Sequence, residues 1–254
     1  MSSFTDAHCH LDFDSFAADR EAVFERARDE GIGRFIVPGT RRSRLEAVLA
    51  LKRFAGVSTC LGLHPYFLDE HDDEADLAVL EQALTSRSVV GLGECGVDAR
   101  LDDLPRQWRL FDAQLKLARR LELPVVVHCV QLNDEVGKRL KQLALPARGL
   151  IHAFSGSLQQ AQRFIELGYL LGIGGAVTHD RARKLKRVVA ELPADSFVLE
   201  TDAPDMAPQG VSGRNEPACM SRVIAEVARL RGVSRETLAA TTSANAECLF
   251  RLEN

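Results

Sequence analysis

What the chain lacks narrows its class before any motif is read. No apolar run approaches the roughly 20 residues that a bilayer span needs. The opening residues MSSFTDAHCH carry neither the basic n-region nor the apolar core of a secretory leader. No membrane association is expected, and the expected location is cytoplasmic. Cysteines at 9, 60, 95, 129, 219 and 248 show no CxxC spacing and are too sparse for a small disulfide scaffold, so they read as reduced thiols. No low-complexity linker, composition shift or short repeat divides the sequence. Positive charge is not in excess either: a formal charge of −4 argues against gripping a polyanion by bulk electrostatics and leaves room only for a local basic face.

What is present is an ordinary folding composition: 46% apolar residues, 27% charged and 9 prolines in 254 residues, enough for an ample core. A single domain over 1–254 is expected, because α/β barrels commonly occupy this length as one unit. Eight short apolar runs alternate with amphipathic stretches: 4–10, 34–39, 57–64, 89–96, 124–129, 149–156, 169–175 and 196–204. That alternation is the pattern of βα units around a parallel sheet. The clearest helix is predicted over 105–122, where Trp108, Phe111, Leu115 and Ala118 recur at helical spacing. Two closing helices are predicted over 215–231 and 234–252. Eight units point to a closed TIM (β/α)8 barrel, although counting strands alone leaves a doubly wound open sheet standing.

The placement of polar residues bears on that choice. Buried parallel strands should be almost continuously apolar. Here, however, ionisable side chains gather at their C-terminal ends: His8 and His10, His64, Glu94, His128, His152 and Asp202. In a (β/α)8 barrel those ends surround one mouth. A lone histidine at a strand end is usually structural; repetition at the same end of six strands is not. Alternation puts Asp6, His8 and His10 on one face and Cys9 on the other, and by the same rule Cys95 and Cys129 turn away from the site as packing residues. Four histidines with Glu94 and Asp202 suit zinc, manganese or a related cation better than calcium. Six ligands exceed the need of one tetrahedral ion, so two ions bridged by Glu94 are expected.

Taken in order, TDAHCH, GLHP, GLGECGVD, LPVVVH, IHAFSGS, LETDAP, RNEP and TTSANAECLF resemble the TatD family of metal-dependent hydrolases across essentially the whole chain. The resemblance implies a TIM-barrel deoxyribonuclease that uses two divalent ions (Zn, Mn or Mg), with His8, His10, Glu94, His128, His152 and Asp202 matching the metal ligands. It also implies that Asp202 takes a proton from the attacking water, with Glu94 as the other catalytic carboxylate. Two segments depart from the family pattern near the mouth. HCVQLND lacks an arginine often found after the fifth-strand histidine, and ARLDDLP stands where many members carry aromatic residues.

Around this set, several residues keep two readings. Asp6 is expected to fix a histidine tautomer. Glu200 either orients a ligand or fills a barrel layer, and Asp98 either orients a ligand or caps its loop. His64 either contacts a substrate phosphate or hydrogen-bonds within the loop before Pro65, and His179 reads as a solvated loop residue. Arg214, the arginines at 41, 42 and 44, and the run RARKLKR (181–187) are candidate phosphate contacts, set against a solvated basic helix face for the last. GIGG at 172–175 lacks dinucleotide spacing and reads as close packing at the barrel end. The expected substrate is DNA or another phosphodiester, with no obligate protein partner. The alternatives are hydrolysis of an ester or amide, such as an aminoacyl-nucleic-acid linkage, and nucleic-acid binding without catalysis.

Overall fold

Each of the eight apolar runs overlaps a strand, and a strand extends at most two residues beyond its run. In the computed structural model, which describes residues 4–252, these are β1 (Phe4–Asp6), β2 (Ile32–Pro38), β3 (Val57–Leu61), β4 (Gly91–Asp98), β5 (Val125–Val130), β6 (Gly149–Ile151), β7 (Leu170–Ile173) and β8 (Phe197–Leu199). Neighbours pair in parallel and in chain order. Backbone bonds beyond the two outer strands close the ring: Ala7 N donates to Leu199 O at 3.0 Å, and Asp202 N to His8 O at 2.9 Å. The chain is therefore a (β/α)8 barrel, and the open sheet is excluded.

The helices are α1 (Arg20–Asp29), α2 (Leu45–Ala50), α3 (Asp73–Ser86), α4 (Leu104–Leu121), α5 (Asn133–Leu143), α6 (Leu158–Glu166), α7 (Arg183–Glu191), α8 (Met220–Arg231) and α9 (Arg235–Phe250). The α4 helix falls within one residue of the expected range at each end. Asp103 caps it by accepting from Arg106 N at 3.1 Å, and Pro105 occupies the first turn, where its missing N–H is not needed. Phe111, Leu115 and Ala118 bury its inner stripe, while Trp108 is only half-buried. The α8 helix starts five residues later than expected, because Asn215 is used to tie down the loop after β8.

Two apolar layers hold the barrel. The larger fills the space between strands and helices and takes in Cys9, Cys95 and Cys129. The smaller is the barrel floor, where Ile36, Val126, Leu150 and Val198 meet Ala246 and Phe250 of α9. Full burial of each large side chain contributes about 1.5–3 kcal/mol. Interior positions switch from apolar to ionisable on moving up the strands, and that switch makes the site.

Candidate metal centre

The pairing ladders stop earlier than the apolar runs. Glu94 and His128 lie within β4 and β5. His8, His10, His64, His152 and Asp202 instead come from the first few residues after their strands. There the backbone is freer to turn; Asp202, for example, sits at φ +56°. All seven side chains are nevertheless brought together at one mouth.

Glu94 lies at the centre. Its Oε2 is 3.2 Å from His8 Nε2 and 3.1 Å from His10 Nε2. Its Oε1 is 3.0 Å from His64 Nε2, 3.1 Å from His128 Nδ1 and 2.9 Å from His152 Nε2. Asp202 Oδ1 completes the first group, 3.4 Å from His8 Nε2 and 3.5 Å from His10 Nε2. One carboxylate thus turns one oxygen toward two ring nitrogens and the other toward three.

Those nitrogens also face one another, His8 Nε2 and His10 Nε2 at 3.1 Å, and His128 Nδ1 and His152 Nε2 at 3.2 Å. Two neutral imidazoles that direct lone pairs at one another repel. A cation accepts from both, so the donor set fits divalent metal of the zinc or manganese kind. The electrostatics agree. Burial opposes charge on Glu94, but the imidazoles of His64, His152 and His8 and the His10 bond hold it well below the usual carboxylate range. Burial likewise works against charge on His10, yet Glu94, Asp202 and Asp12 outweigh it and lift the imidazole to about 9. Asp202 is held low despite burial by His8, His152 and His10. These groups keep their charges only in each other's company, and metal binding would displace the imidazole protons.

His64 behaves differently. Its Nδ1 accepts from Tyr66 N at 3.0 Å, so in the neutral ring the proton sits on Nε2, facing Glu94. Burial pushes its pKa down to about 4, which keeps the ring neutral. It is built as a hydrogen-bond donor, and the loop bond and the mouth-facing position, weighed as alternatives from sequence, occur together.

The supporting residues divide. Asp98 does both things considered for it: Oδ2 is 3.2 Å from His128 Nε2, and Oδ1 accepts from Arg100 N at 2.9 Å. Glu200 is fully buried, accepts from Ala153 N at 2.6 Å and lies 3.6 Å from His152 Nδ1. Gly172 makes room for it, since a Cβ there would come within 2.2 Å of the carboxylate. Asp6 corrects the sequence reading. Ala7 packs into the floor, so strict alternation slips by one residue between Ala7 and His8, beyond the β1 ladder. Asp6 therefore does not share the histidine face; it accepts from Thr201 N at 3.0 Å, Thr201 Oγ1 at 2.6 Å and His8 N at 3.3 Å. It pins two backbone segments rather than an imidazole, and burial pushes its carboxyl up to about 7 against those bonds.

The arginines are a second correction. Arg214 is committed to Asp19, at 2.9 and 2.8 Å, and to Ser15 O, and it lies over Phe16. Arg41 pairs with Glu70 at 2.6 Å, Arg42 with Asp76 at 3.2 Å and Arg44 with Asp14 at 2.9 Å. Of the 181–187 run, Lys186 pairs with Glu226, whereas Arg181, Arg183, Lys184 and Arg187 are exposed and form no ion pair with any described residue. His179 is half-buried rather than solvated, bonded to Ala207 O at 3.1 Å.

Sequence reading passed over three supports. His71, buried beneath the His64 loop, donates from Nε2 to His64 O at 3.2 Å, with Nδ1 3.5 Å from Asp76. Gln114 clasps Leu63, accepting from its N at 2.8 Å and donating to its O at 2.9 Å, and Gln107 accepts from Asp98 N at 2.8 Å. Both glutamines lie on the apolar stripe of α4, seven residues apart. A polar residue on such a stripe is a readable signal.

The family model described as TatD related DNase matches residues 5–251. The uncharacterized metal-dependent hydrolase YjjV of Escherichia coli is 44% identical over 255 residues, covering 98% of each chain. The crystal structure of the TatD homologue YjjV from Escherichia coli superposes with a TM-score of 0.94 at 43% identity, covering 98% of both chains. The 3'-5' ssDNA/RNA exonuclease TatD of Erwinia tasmaniensis is 34% identical, covering 97% of this chain and 99% of its own.

Proposed function

The chain belongs to the TatD related DNase family, and from that premise we propose that it is a metal-dependent hydrolase cleaving phosphodiester bonds of single-stranded DNA or RNA at a centre of two divalent ions. The observation that carries this reading is the division of Glu94, with Oε2 serving His8 and His10 and Oε1 serving His128 and His152. Asp202 joins the first group. Bound there, divalent cations would polarise the phosphodiester and make water nucleophilic near neutral pH.

The protein's own groups supply the rest. Asp202 is charged at neutral pH and its side chain is 15% exposed, against 2% for Glu94, so it is the carboxylate placed to take a proton from water entering the mouth. His64 would turn its Nε2–H from Glu94 to a nonbridging phosphate oxygen. Asp98 bonds His128 and holds it in orientation, and the Glu200 carboxylate lies 3.6 Å from His152 Nδ1. The exposed cations of 181–187, just before α7 and in its first turns, are the ones free to meet a phosphate backbone. Residues 1–254 act in this reading as one hydrolase domain. Six free thiols suit a reducing cytoplasm, and no helix among the described residues is long and apolar enough to cross a membrane. Glu94 as the central residue of β4, with no lysine in that strand, favours the phosphodiesterase over the ester or amide hydrolase.

The test is to strip the protein with chelator, reload it with magnesium, manganese or zinc, and follow end-labelled single strands of DNA and RNA. Wild type should shorten them and bind two ions per chain, while Glu94→Gln should leave them intact. Strands that survive wild type under every metal reject the reading, and the product ladder separates end-directed from internal cleavage.

A further inference from the structure

Among the described residues, Tyr66 is the most exposed large apolar side chain, at 68%. A single exposed ring is unremarkable on a protein surface. Its setting is not. A series of rings leads from the buried centre out to it. His10 stacks on Phe13 with centroids 4.9 Å apart, Phe13 meets Phe67 edge-on at 6.4 Å, and Phe67 meets Tyr66 at 5.2 Å. Phe13 and Phe67 are only half-buried, so the series stays accessible from the mouth. Its position is also fixed relative to the reaction site, because Tyr66 N is bonded to His64 Nδ1 across Pro65 and Arg41 lies over Phe67 at 4.1 Å.

The charges nearby exclude one explanation. Arg41, Arg42 and Arg44, which sequence offers as phosphate contacts on this side, are each paired with a carboxylate. A strand on this side is therefore not held by free cations. What the surface offers is ring area whose backbone is tied to the His64 imidazole. Such area suits a nucleobase, because every base has a π-face and stacking tolerates any sequence.

We propose that Tyr66, backed by Phe67 and Phe13, is a nucleobase-stacking subsite that holds the nucleotide next to the phosphodiester being cleaved. It rests on the phosphodiesterase reading for the identity of the ligand, and its test does not depend on turnover. Equilibrium binding of a fluorophore-labelled oligothymidylate and of an abasic strand of equal length is followed by anisotropy in chelator, where no cleavage occurs. Tyr66→Ala should weaken oligothymidylate binding about tenfold, within the range for one stacked base. Tyr66→Trp should restore it. The abasic strand should bind wild type and Tyr66→Ala alike, and the loss should persist at raised salt, as it would not for an ionic contact. Binding by Tyr66→Ala within twofold of wild type, an equal loss on the abasic strand, or no binding by wild type would overturn the subsite.

The two readings separate cleanly. Tyr66-dependent binding of a strand that no metal allows the enzyme to cut sinks the hydrolase reading and leaves the subsite. Cleavage with an unchanged KM in Tyr66→Ala does the reverse.

Discussion

Val126, Leu150 and Val198 point into the barrel floor; His128, His152 and Glu200, two residues further along the same three segments, point into its mouth. The backbone treatment is the same and the chemistry is opposite. At the floor, apolar side chains meet α9 and stabilise the fold by leaving water. At the mouth, buried imidazoles and carboxylates are tolerated because each is partnered by another, an arrangement that is costly when one member is removed. The floor therefore contributes stability, while the chemistry depends on every oxygen and nitrogen of the mouth.

The widest separation of the two ends should come from Glu94→Gln. Removing the shared carboxylate should lower hydrolysis of a single-stranded oligonucleotide by on the order of 1000-fold. The thermal midpoint of the metal-free protein, read by circular dichroism, should fall, because five imidazole nitrogens lose the charge that offsets their burial. The mirror experiment is Leu150→Ala, which should lower unfolding free energy in urea by about 2–5 kcal/mol and leave metal content and the kcat of the folded fraction unchanged. Loss of bound metal in that floor variant would break the comparison.

His71 tests the margin between the ends, since it is buried yet acts on a mouth residue through the backbone of His64. We expect His71→Ala to lower kcat/KM about tenfold with both metal equivalents retained. His71→Gln should recover part of it by restoring an N–H to His64 O. A stability loss with unchanged kinetics would make His71 merely part of the core.

The smallest effect is expected at Arg214, where KM for the oligonucleotide should stay within about twofold in Arg214→Ala, since its donors face Asp19 and Ser15. Its stability effect has a definite pH dependence. Hydrogen bonds from Arg214 and Arg26 lower the Asp19 pKa from 3.8 to about 2. A depressed carboxyl contributes stability above its unfolded value and loses it as pH falls through the folded one. The wild-type advantage over Arg214→Ala should therefore hold above about pH 4 and fade toward pH 2, as urea unfolding at stepped pH would reveal.

Much of the barrel was legible because a buried parallel strand writes itself as a short apolar run. The candidate ligands were legible because ionisable residues interrupted six such runs at one end. The errors lie where local pattern stops governing. Alternation puts Asp6 on the histidine face, but alternation holds only while a strand stays in its ladder, and β1 leaves it at Asp6. Position after the last strand suggests a substrate role for Arg214, and its partner Asp19 is 195 residues away, beyond the reach of local pattern.

What the sequence determined by itself was the set of elements and the kinds of donor atoms at their ends, since strand period and ligand chemistry are properties of neighbouring residues. Only the tertiary structure decided which oxygen of Glu94 faces which histidine, which rim arginines are already neutralised, and that rings from two loops line up from His10 to Tyr66. Those are distances between segments remote in the chain, and closure of the barrel is what sets them.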